Sequence, residues 1–249
     1  MTASAAIAAP MIERAPPLLR VVGLGKRYGD QQALAEIAFD VRDGEVLGLI
    51  GPNGAGKTTL LEALAGVIPI DAGELIWRGA PMAAGRRREM IFYLPDGLRP
   101  WDDAFVLRVL EFFAAVHGRT PVELSEAIRA VALAPVLRKR VSALSKGYAR
   151  RLMLALALLT PQPLLLMDEP FDGFDLRQTR DVMALVRRVA AGGRTLVLAI
   201  HQLGDAERVC DRFVLLAAGA VRGVGTLSEL RAATKLTTAG LEDVFLALT

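Results

Sequence analysis

The sequence predicts an α/β fold built on a mainly parallel sheet, and three observations predict it. A glycine-rich stretch, Gly51-Pro52-Asn53-Gly54-Ala55-Gly56-Lys57-Thr58-Thr59, stands between an apolar run and a helical pattern. Two further apolar runs end in polar groups: Leu164-Leu165-Leu166-Met167 runs into Asp168 and Glu169, and Thr195 to Ile200 runs into His201. Runs that are apolar throughout, rather than alternating, are what strands buried on both faces require. From about residue 98 to residue 159 no strand-like alternation appears, so this stretch reads as a helical subdomain inserted into the sheet core.

Residues 1–17 are rich in Ala and Pro and lack the basic start of a secretory leader, so they read as a flexible tail, with the folded domain over 18–249. Leu18 to Val22 reads as a strand, Gly23 to Gln32 as a turn-rich segment carrying Tyr28, and Ala38 to Val41 as a second strand. Arg42-Asp43-Gly44 is a turn signal. Val46 to Ile50 is the buried strand that enters the glycine-rich stretch. Leu60 to Ala65 is helical, with Gly66 placed to end it in a left-handed conformation. Glu74 to Trp77 and Met90 to Leu94 are short strands, the latter stopped by Pro95. Arg86-Arg87-Arg88 reads as a solvated loop. In the helical stretch Phe105, Val109, Phe112, Phe113 and Val116 recur at spacings of three and four. Leu176 to Ala190 and Asp205 to Val209 are helical. Phe213 to Leu216 and Ala220 to Arg222 form a hairpin about Gly219. Leu241 to Leu248 is a short amphipathic helix.

Composition narrows the possibilities. The 249 residues are 53% hydrophobic with a mean hydropathy of +0.36, enough for a large core and for apolar surface that a partner covers. Thirty basic against 27 acidic residues leave a net charge of +3. The basic residues are dispersed, so no nucleic-acid face is expected. The one cysteine, Cys210, forms no internal disulfide, and with two histidines no His/Cys metal cluster is available. The longest apolar region, Leu152 to Met167, is broken by Thr160-Pro161-Gln162-Pro163, so no membrane span is expected.

The glycine-rich stretch carries the chemistry. Strand, G-x-x-x-x-G-K-[ST], helix is the context of a phosphate cradle, and so of a P-loop NTPase core. Gly54 and Gly56 let the backbone wrap and turn its N–H groups inward. The start of the following helix adds unsatisfied N–H groups and a positive dipole end. Lys57 supplies a cation for the outer phosphates, Thr58 a hydroxyl for Mg²⁺, and Thr59 one more donor. A parallel sheet places its strand ends side by side, so Asp168 is expected to hold Mg²⁺ and Glu169 to polarise the attacking water. His201, at another strand end, lies within reach of the γ-phosphate as a donor. Tyr28 either stacks on adenine or is a core tyrosine; the residue pattern leaves both open.

These residues resemble the nucleotide-binding subunit of ABC transporters over essentially all of 18–249. Gly51 to Thr59 is similar to the family's Walker A and Leu164 to Glu169 to its Walker B with the following glutamate. Leu144-Ser145-Lys146-Gly147-Tyr148 resembles its signature, Phe174-Asp175 its D-loop, His201 its switch histidine and Tyr28 its adenine-stacking residue. The resemblance implies an antiparallel β subdomain beside the P-loop core. It also implies that two such domains sandwich two ATP molecules, with Ser145 and the backbone of Gly147 contacting the γ-phosphate bound by the partner. Lys146 and Tyr148 depart from the usual Gly and Gln of the signature. Asp96 stands where the family has its Q-loop glutamine, and is expected to reach Mg²⁺ through water, although an acid cannot donate as an amide does.

The resemblance further implies an ATPase subunit on the cytoplasmic face of the membrane, working with integral-membrane transporter subunits and, through ATP, with a second copy of itself. The Leu144 to Gly147 form and the segment Leu241 to Thr249 look like exporter ATPases with separately encoded membrane subunits. An importer ATPase shares the same chemistry, and a soluble relative acting on ribosomes or nucleic acid is the remaining alternative. Trp101 is either an anchor for a membrane-subunit helix or part of the start of the helical subdomain.

Overall fold

The computed structural model describes residues 16–249. Apart from Pro16 and Pro17, the expected tail lies outside the described residues. The described residues open with β1 (Leu19–Tyr28), β2 (Gln31–Val41), β3 (Val46–Ile50), α1 (Lys57–Ala65), β4 (Ala72–Trp77), β5 (Ala80–Pro81), α2 (Arg87–Met90) and β6 (Ile91–Leu94). Helices α3 (Val106–Val116), α4 (Pro121–Ala130) and α5 (Lys146–Leu159) follow. The α/β pattern resumes with β7 (Leu164–Asp168), α6 (Leu176–Ala191), β8 (Thr195–Ile200), α7 (Leu203–Val209), β9 (Arg212–Ala217) and β10 (Ala220–Gly225). Helices α8 (Leu227–Thr234) and α9 (Leu241–Leu248) close the chain.

Two sheets enclose α1. The six-stranded sheet has the order β10-β9-β3-β8-β7-β6 and is parallel except for β10, while β2-β1-β4-β5 form an antiparallel sheet. Alternate residues of the buried strands face opposite cores. Leu47, Leu49, Leu164 and Leu166 pack with Leu60, Leu61 and Leu64 of α1 and with the antiparallel sheet. Val46, Ile50, Leu165 and Met167 face the helices, among them α3, α5 and α6. Both faces are covered, which is why these runs are apolar throughout. The pairings Ile50↔Ile200, Asp168↔Ala199 and Leu94↔Met167 bring the carboxyl ends of β3, β8, β7 and β6 to one edge. That edge is where an open parallel sheet binds ligands.

Several sequence expectations are corrected. Gly23 to Gln32 is not a turn-rich segment: β1 and β2 run through it as a long hairpin. Shifts in the β1–β2 register between Val21 and Arg27 absorb the glycines, and Gly23 sits at φ 60. Helix α1 begins at Lys57, earlier than the apolar pattern indicated, and α8 was not foreseen. The face of α3 also differs from the periodic reading. Val106, Val109, Leu110 and Ala114 are buried, whereas Phe112 and Val116, like Phe105 just before the helix, are exposed. Gly66 does end α1 in the left-handed conformation, at φ 77.

The arginine triplet is corrected as well. Arg86 and Arg88 are exposed, but Arg87 is buried and donates through Nη1 to the Ala63 carbonyl, 2.8 Å away, at the end of α1. A cation on a carbonyl of the last turn is favourable. Arg87→Ala is therefore expected to lower stability by about 1.5–3 kcal/mol, the range of a hydrogen bond to a charged group. A urea titration would show it as a lower midpoint at unchanged slope; an unchanged midpoint would mean that burying the guanidinium cancels the bond. Two other arginines do the same for α5. Arg119 donates to the carbonyls of Leu159 and Thr160, and Arg194 to those of Ala157 and Gln162. Burial, with Arg119 nearby, pushes the pKa of Arg194 down to about 10.

Candidate active site

The phosphate loop is shaped by backbone that only glycine permits. A Cβ on Gly51 would lie 2.2 Å from the Leu216 carbonyl oxygen. Gly56, at φ 101, would place a Cβ 2.8 Å from Leu34 Cδ2 and 3.0 Å from the Ala33 carbonyl oxygen. Ala55 is buried, and its N–H closes a turn onto the Pro52 carbonyl at 3.1 Å. Helix α1 then starts with Gly56 as its N-cap, with no side-chain cap and no acid in its first turn. Its first N–H groups are thus left for an anion, and no carboxylate of the helix competes for them.

Lys57 is buried and donates to the carbonyls of Gly51, at 2.7 Å, and Pro52, at 3.2 Å. Burial lowers its pKa, and the carboxylates of Glu169 and Asp168 act in the opposite direction. The Thr58 hydroxyl donates to Asp168 Oδ2 at 2.7 Å. Burial raises the pKa of Asp168; the Thr58 hydrogen bond opposes this and Asp96 adds to it. Glu169 has φ 47 and is held there by its N–H, which donates to the Ala199 carbonyl at 3.0 Å. Holding a non-glycine residue in this region costs about 1–3 kcal/mol, a strain typical of functional positions. Its Oε2 lies 2.6 Å from Nδ1 of His201.

The expected residues divide into two groups. Tyr28, Asn53, Gly54, Gly56 and Lys57 line one cavity of about 630 Å³, together with Thr58, Thr59, Asp96, Asp168 and Glu169. His201 joins this group through Glu169. Tyr28 is 50% exposed, so it is not a core tyrosine. Ser145, Gly147 and Asp175 lie instead on a separate hollow of about 710 Å³ that shares no residue with the first. Ser145 caps α5, its Oγ accepting from the Tyr148 N–H, and Asp175 caps α6, accepting from the Gln178 N–H at 2.8 Å. Asp96 lines the first cavity, but its carboxylate accepts from the guanidinium of Arg150 on α5.

Sequence reasoning missed some of the wall. Gln31, Gln32 and Ala33 of β2 and the hairpin tip Ala218-Gly219 also line the phosphate cavity. Gly219 was legible as a turn, but its bond from N–H to the Ala55 carbonyl, 3.1 Å, spans most of the chain. Arg150 was missed because a lone arginine in a helix carries no local signal.

A parallel sheet whose carboxyl edge carries a glycine cradle, a buried lysine and a Thr–Asp contact defines a nucleoside-triphosphate-binding protein. Comparison with known proteins makes this specific. Residues 34–172, more than half of the chain, match the family model described as "ABC transporter", and the chain belongs to that family. It is 36% identical over 86% of its length to a Nod factor export ATP-binding protein I of Ralstonia nicotianae, covering 68% of that protein. It is also 36% identical, over 87% of its length, to the daunorubicin resistance ATP-binding protein DrrA3 of Streptomyces coeruleorubidus, covering 70% of it. A solved structure of the ATP-binding subunit of an ABC transporter superposes with a TM-score of 0.85 at 30% identity, over 93% of this chain and 99% of that one. This chain is an ATP-binding subunit of an ABC transporter, with the fold of its ATPases, which hydrolyse ATP. No helix among the described residues is long and apolar enough to cross a membrane.

Proposed function

We propose that this subunit powers an exporter, by binding MgATP between two copies of itself and hydrolysing it against separate membrane subunits. The observation that carries the dimer is the separation of the two groups of site residues. Lys57 and Ser145 lie on different hollows of one chain, so a phosphate held by the loop meets Ser145 and Gly147 only if a second copy brings them. A helix start capped by serine, with glycine in its first turn, suits an anion. Export is supported by the relatives whose names are Nod factor export and daunorubicin resistance.

The residues fit the nucleotide and its metal. The loop N–H groups and Lys57 take the phosphates, and Tyr28 offers its exposed ring to the base. Thr58 and Asp168, already in contact, would hold Mg²⁺. No group of three His, Cys, Asp or Glu side chains among the described residues makes a metal site, so phosphate oxygens and water must complete its shell. Bound Mg²⁺ neutralises charge on the transferring phosphoryl group. Glu169 would orient the attacking water and accept its proton, while His201, in contact with the Glu169 carboxylate, would serve as a donor to the γ-phosphate.

An exposed apolar patch at the start of the helical subdomain supports a membrane-subunit dock, and with that dock goes a position on the cytoplasmic face of the membrane. Trp101, 54% exposed, stands edge-on to Phe112 with ring centroids 5.1 Å apart, and Leu98, Phe105 and Val116 are exposed nearby in sequence. Exposed aromatic anchors are what interfaces use. In cross-linking pull-downs from native cells the chain should retain a multi-span membrane protein, and Trp101→Ala should weaken capture by about tenfold or more. Recovery without a membrane partner would sink the proposed dock. Substrate accumulation, rather than loss, in cells lacking ATPase activity is the expected sign of export.

A further inference from the structure

We propose that Arg150 and Lys146, one turn apart on α5, fasten the start of that helix to two loops of the nucleotide core, and that Asp96 acts through Arg150 as a positioning residue rather than on the metal. The proposal rests on the ATPase reading above. It starts from Arg150, whose side chain is 6% exposed and whose guanidinium donates to Asp96. A buried guanidinium carries a large desolvation cost when left without an acceptor. Helix α5 therefore cannot move away from the loop after β6 unless Asp96 moves with it.

The second point is Lys146, four residues earlier and on the same face of α5. Its Nζ donates to Asp172 Oδ2 at 2.8 Å. Its stem lies directly on the loop after β7: a Cβ on Gly173, which has φ 84, would meet Lys146 methylene carbons at 2.9 Å. Both loops are tied to the phosphate cavity. Asp96 lines it, and the Asp172 N–H closes a turn onto the Glu169 carbonyl at 3.1 Å. Ser145, which caps the same helix, is thereby held at a set distance from Glu169 and Asp96. The two points differ in weight. Lys146 is 65% exposed, so its ion pair contributes little and its packing sets register. Arg150 is the buried point, where loss of a partner is felt most.

The experiment compares the full chain with Asp96→Ala, Arg150→Gln, the double variant Asp96→Ala/Arg150→Gln, and Arg150→Lys. Hydrogen exchange is read first, on nucleotide-free protein. Asp96→Ala and Arg150→Gln should each speed exchange in both segments, 96–101 and 145–150. Acceleration confined to the substituted segment would overturn the fastening. Steady-state ATPase assays follow. Asp96→Ala and Arg150→Gln should each lower kcat about tenfold with KM within about threefold, the double should be no worse than either single, and Arg150→Lys should recover most of the rate. Additive losses would overturn the proposal. So would a raised Mg²⁺ requirement in Asp96→Ala that Arg150→Gln lacks, because that would put Asp96 on the metal. A wild-type protein that neither bound nor hydrolysed ATP would sink the ATPase reading, while the exchange result would still decide the fastening.

Discussion

Glu169→Gln is expected to bind ATP normally, to hydrolyse it about 10²- to 10⁴-fold more slowly, and to accumulate as a dimer with MgATP. Glutamine preserves the shape and the contact with His201, 2.6 Å away in the wild type, but cannot take a proton from water. The strained backbone at φ 47 remains supported by the bond to Ala199, so the loop should keep its course. Binding and chemistry are then separated, and the ATP-bound sandwich outlives its normal turnover. Size-exclusion chromatography with and without Mg²⁺ reads the dimer, and a phosphate-release assay reads the chemistry. Adding Ser145→Arg should abolish the shift, since the bulky cation would stand at the second hollow. Hydrolysis by Glu169→Gln at the wild-type rate would show that the base lies elsewhere.

Lys57→Ala is expected to weaken ATP binding by about 10- to 150-fold, the worth of a hydrogen bond to a charged group. The side chain also donates to the carbonyls of Gly51 and Pro52, so its removal loosens the loop as well as removing the cation. AMP separates the two effects. It lacks the outer phosphates assigned to Lys57 in the proposed function, so its binding should change little if the loop keeps its form. Equal losses for ATP and AMP would assign the effect to a collapsed loop instead.

How much could be read in advance differs from element to element. The strands Val46–Ile50, Leu164–Asp168 and Thr195–Ile200 were legible because burial on both faces leaves an unmixed apolar run. The hairpin β1–β2 was not, because its glycines look like turns until the neighbouring strands take up the bulges. The exposed side of α3 was misread for a related reason. Phe112 fits a helical apolar stripe, yet it faces outward, and periodicity reports that a stripe exists without saying what covers it.

The sequence by itself determined the phosphate loop, the acids that end β7 and the class of chemistry, because glycine conformations and apolar runs are encoded within a few neighbouring residues. Only the tertiary structure decided that Asp96 meets Arg150, 54 residues away, that the Gly219 tip walls the phosphate cavity, and that Ser145 stands apart from Lys57. Those outcomes follow from how α5 packs on β6 and how the hairpin folds over α1's loop. Contacts between distant segments are chosen by the packing of whole elements, and no local pattern of residues carries that choice.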